Sequence, residues 1–77
     1  MSEYTDLNDM IDVLNIAIAR EETEEQFFRR SAKASDHKIA SKMFLEIAEE
    51  FANLHRSLES RRESLLDTLS ELRQMKK

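Results

Sequence analysis

Four carboxylates stand within five residues in the segment Arg20-Glu21-Glu22-Thr23-Glu24-Glu25-Gln26, and one of the two histidines is His55. Glu21 and Glu25 are four apart, so on a helix they share a face. Two carboxylates and an imidazole form a donor set that iron or another divalent metal accepts. Glu21, Glu25 and His55 are therefore the candidate metal ligands. The same carboxylates can instead pair with cations such as Arg61, Arg62 or a protonated His55, or the chain can be splayed and hydrated at that level. A buried carboxylate with none of these is costly, so its placement needs a physical reason.

Other chemistries find little support. The chain has no Cys and no Gly, which excludes thiol chemistry, a disulfide frame and a glycine loop around phosphate. Ser57, Ser60, Ser64 and Ser70 have no histidine base and orienting acid at a recognisable spacing. His37 lies beside a turn, where it is expected in solvent or in a helix cap. Arg29, Arg30, Lys33, Lys38 and Lys42 surround that turn without the interleaved aromatics that stack on bases. With a net charge of −4, no nucleic-acid partner is expected. A pair such as Glu25 and Arg29, at i,i+4, accounts for part of this charge.

The elements that must position these residues are helices. The 77 residues contain neither Gly nor Pro and are rich in Ala, Leu, Glu, Lys, Arg and Met, the strong helix formers. Apolar residues recur at helical spacing from Leu7 through Met10, Ile11, Leu14 and Ile18, and again at Phe27, Phe28 and Ala32. Small and polar residues from Ser31 to Asp36 break the pattern, with Ser35 or Asp36 available as a cap. Beyond them Phe44, Phe51, Leu58, Leu65 and Leu72 recur every seventh residue, beside a line of Ala48, His55, Arg62 and Leu69. The reading is one domain over 1–77, with helix 5–33, turn 34–36 and helix 37–75. Thr5 caps the first helix, Lys76 and Lys77 close the second, and the longer second helix projects past the first.

On the first helix the two seam lines read Leu7, Leu14, Glu21, Phe28 and Ile11, Ile18, Glu25, Ala32. The acids therefore interrupt the apolar seam itself. Around Glu21, an aromatic pair follows six and seven residues on (Phe27-Phe28), with a small residue four further (Ala32). The second helix carries Phe44, Ile47 and Ala48. On these residues Ala17 to Leu58 resembles a rubrerythrin-type, ferritin-like half-domain. The resemblance implies an iron-binding bundle in which Glu21 is a ligand, and ferroxidase or peroxide-type chemistry if the site is active. The family's second ligand pair, Glu-x-x-His, opens three residues after the Ala; here those positions are Phe51 and Leu54. Glu50 and His55 are five apart and point to different faces.

A lone helical pair buries only one side of each helix, so another chain should cover part of the apolar surface. The expected fold is all-α: an antiparallel hairpin that dimerises into a ferritin-like four-helix bundle or joins a larger homo-oligomer. The leading functional reading is such a bundle with a degenerate or altered carboxylate site. The alternative is a metal-free scaffold or partner-binding hairpin, docking through Leu65, Leu66, Leu69 and Leu72. No stretch approaches transmembrane length and the start lacks a signal-peptide pattern, so no membrane partner and a cytoplasmic location are expected.

Overall fold

A computed structural model describes residues 3–75, with side chains from Asp6 onward. Two helices pack against each other, α1 over Glu3–Ala34 and α2 over Lys38–Met75. They run antiparallel, as the contacts Arg29–Glu49 near the turn and Asn15–Arg62 far from it require. The body measures 61 × 17 × 12 Å, which is the length of α2 and the thickness of a single helical layer.

The helix ends differ in detail from the expected bounds. α1 begins at Glu3, ahead of the anticipated cap at Thr5, so Thr5 lies within its first turn. Lys76 and Lys77 lie outside the described residues, and Arg73 is the cation in the last turn of α2. At the turn, Ser35 Oγ accepts the His37 N–H at 3.3 Å, and His37 Nδ1 accepts the Ile39 N–H at 3.2 Å. The cap of α2 is therefore an imidazole held by a serine, on a helix with no acid in its first turn. Ser41 Oγ then donates to the Ala32 carbonyl at 2.9 Å, filling an open acceptor in the last turn of α1.

The seam between the helices follows the two heptad lines. Among the described residues Ile11, Ile18, Ala32, Ala48, Ala52 and Leu69 are the buried apolar ones, and no large side chain is fully enclosed. Ala32, Ala48 and Ala52 let the backbones approach near the turn, while Ile11, Ile18 and Leu69 serve the open end. Leu69 is only 3% exposed, because α1 extends far enough to cover it. The expected projection of α2 is thus corrected: its last apolar segment lies alongside α1, leaving Leu66 and Met75 exposed. Among the described residues, no helix is long and apolar enough to cross a membrane.

Replacing His37 with Ala should cost about 1 kcal/mol, lowering a thermal melt by roughly 5 °C for a chain of this size, while His37→Asn retains most of the cap. An unchanged melting temperature in His37→Ala would show that the imidazole does not serve as the cap.

Candidate functional site in the interhelical seam

The seam has two well-packed stretches with a polar break between them. On the turn side, Phe28 of α1 stacks on Phe51 of α2, with centroids 5.7 Å apart and planes 13° from parallel. Phe44 packs against the same ring at 6.1 Å, and Phe27 meets it edge-on at 5.2 Å. On the open side, Arg62 donates to Asn15 Oδ1 at 2.8 Å across the two helices. Glu21 and His55 occupy the stretch between these cross-helix contacts, on the seam lines of α1 and α2 respectively.

Both are half-buried, and each has one buried polar atom without a hydrogen-bond partner, Glu21 Oε2 and His55 Nδ1. The other ring nitrogen, His55 Nε2, lies 3.2 Å from Glu59 Oε1. An ionised carboxylate only accepts, whereas an imidazole nitrogen accepts or donates according to where the ring carries its hydrogens. Two buried polar atoms without partners in one seam can be satisfied by a proton, a water or a cation.

Glu25 stands apart from this pair. Arg29 donates from Nε to Glu25 Oε2 at 2.8 Å and from a terminal nitrogen to Glu49 Oε1 at 3.1 Å. These contacts, Glu25 first, hold the Arg29 guanidinium above its ordinary range, so it remains charged. The i,i+4 pairing read from the sequence is present, and Glu49 extends it across the seam. The proposed cross-helix partners of the acids are not those used: Arg62 binds Asn15 and approaches Glu59 at 3.9 Å, His55 binds Glu59, and Arg61 is exposed. Among the described residues, no group of three or more His, Cys, Asp or Glu is arranged to hold a metal ion.

Sequence patterns could not reveal Asn15 and Glu49, because both sit off the heptad lines and acquire meaning only through cross-helix register. Ala52 was legible in principle, one turn after Ala48 on the same face. A groove at the open end, of about 670 Å³, was also missed. Its signal was Val13, an apolar residue outside the main stripe of α1 and next to Leu14. No family model, curated protein or solved structure matches this chain.

Glu21→Leu should raise the urea midpoint, since it continues the apolar seam and removes an acceptor whose burial costs about 1–3 kcal/mol. A loss of stability would show that the carboxylate has a partner that a single chain does not supply. Phe51→Ala should destabilise by about 2–3 kcal/mol, at or below the usual range for a buried Phe because the ring is only half-buried.

Proposed function

We propose that this chain is a ferritin-like helical-bundle protein with an altered carboxylate site, acting as a self-associating structural module. The carrying observation is that two buried polar atoms, Glu21 Oε2 and His55 Nδ1, have no hydrogen-bond partner within the single chain. Glu21 is the position to which the resemblance assigns a metal ligand.

The residues do not fit a di-iron centre. Phe51 and Leu54 stand where the resemblance would require Glu and His, Phe51 is committed to the stack on Phe28, and Glu25 is committed to Arg29. One glutamate and one histidine per chain are too few for a carboxylate-bridged pair of irons. What the donor set suits is a single divalent ion shared between copies, each contributing Glu21 and His55. Such an ion would neutralise the acidic break and tie the copies together.

A second reading is a metal-free scaffold or partner-binding hairpin, favoured by the Phe28–Phe51 stack and the Glu25–Arg29–Glu49 contacts. It keeps the bundle as an assembly device and hydrates the Glu21–His55 pair.

Anaerobic titration with Fe²⁺ and, separately, Zn²⁺, followed by calorimetry, distinguishes the two. The altered-site reading predicts one ion for every two chains, with affinity falling at least about tenfold in Glu21→Ala and in His55→Ala. Binding that neither substitution affects, or no binding at all, removes the metal and leaves the scaffold.

A further inference from the structure

We propose that the open-end groove receives an amphipathic helix of another protein, with an acid and a base seven residues apart and apolar residues at the third and fourth positions between them. This goes beyond the reading above, because Glu21 and His55 do not line the groove. Its apolar lining is Met10, Val13, Leu14 and Leu65, with Asp9 on one helix and Arg61 on the other. Met10 and Val13 are 51% and 64% exposed, so this surface is open to an occupant. An interhelical hollow of about 670 Å³ has room for the apolar anchors of a third helix laid along the pair.

Charge sets the pattern. The Arg62–Asn15 hydrogen bond fixes the register, so Arg61 is level with Ile16 and Asp9 with Thr68. The two charges are therefore seven residues apart along the axis, about 10.5 Å. A helix lying in the groove presents residues i and i+7 at the same spacing, with i+3 and i+4 over the apolar lining between them. An acid at one end meets Arg61, and a base at the other meets Asp9. Among the described residues neither Arg61 nor Asp9 makes an ion pair, so both are available. A single-headed anionic amphiphile would satisfy Arg61 alone and leave Asp9 against its tail. A segment of a second copy does not fit either. No acid and base of this chain, in either order, stand seven apart with apolar residues at both positions between them. The occupant is a helix of different sequence.

Three labelled, end-capped Ala–Gln helices of about 18 residues test this by fluorescence anisotropy with the full chain. All carry Leu at i+3 and i+4, and their i and i+7 pairs are Glu with Lys, Glu with Glu, or Lys with Lys. The Glu–Lys peptide should bind about fivefold more tightly than either of the others, the worth of one exposed ion pair. Arg61→Glu should move that preference to the Lys–Lys peptide, and Asp9→Lys should move it to the Glu–Glu peptide. Both positions are exposed, so the hairpin tolerates either change. Val13→Glu, also at an exposed position, should abolish binding of all three. Equal binding of the three peptides would overturn the proposal, as would no binding up to about 1 mM. Decanoate binding in the absence of peptide binding would give the groove to a single-headed amphiphile instead. Glu21 and His55 are intact in every variant, so the metal titration succeeds or fails separately.

Discussion

A single layer of two helices has only one seam in which to hide apolar side chains, and the rest of this structure follows from that limit. Six apolar residues are buried, whereas ten large ones remain exposed among the described residues. Helices of this length owe most of their stability to packing of an apolar face, beyond what propensity supplies. Apolar surface outside the seam is left open by the single chain. The 12 Å thickness of the body makes the same point in geometric terms.

The seam is also not uniform. Alanines and stacked phenylalanines close it near the turn, and Ile11, Ile18 and Leu69 close it toward the open end. Glu21 and His55 interrupt it in the middle. Such a break in a fold with little core to spare costs stability that a Leu at either position would restore. Its presence connects the packing of the hairpin to the proposed function, in which Glu21 Oε2 and His55 Nδ1 would hold an ion or a water where copies meet. The ferritin-like resemblance and the physical reading meet at Glu21, but they part at Phe51, where ring stacking replaces a ligand.

Much of the fold was legible because its determinants are local. Seven-residue spacing on both helices marked the seam lines, and the small polar residues from Ser31 to Asp36 marked the turn. Glu25–Arg29 was legible for the same reason, as an i,i+4 pair on one helix. Contacts that depend on register between the helices were not: nothing in the sequence tied Arg29 to Glu49 or Arg62 to Asn15. The overhang of α2 was misjudged because helix lengths alone do not give the register, which sets Arg62 against Asn15. For Glu21, the sequence established that a carboxylate interrupts the seam, but choosing among metal, cation and water required knowing which cations had already found partners.

If the proposed self-association holds, this hairpin depends on its copies to remain folded. Measuring far-ultraviolet helix signal and sedimentation mass together across a dilution series tests it most directly. The account predicts that helix signal falls in step with the loss of assembled mass. A single chain that retains its full helix signal at the lowest concentration would contradict it.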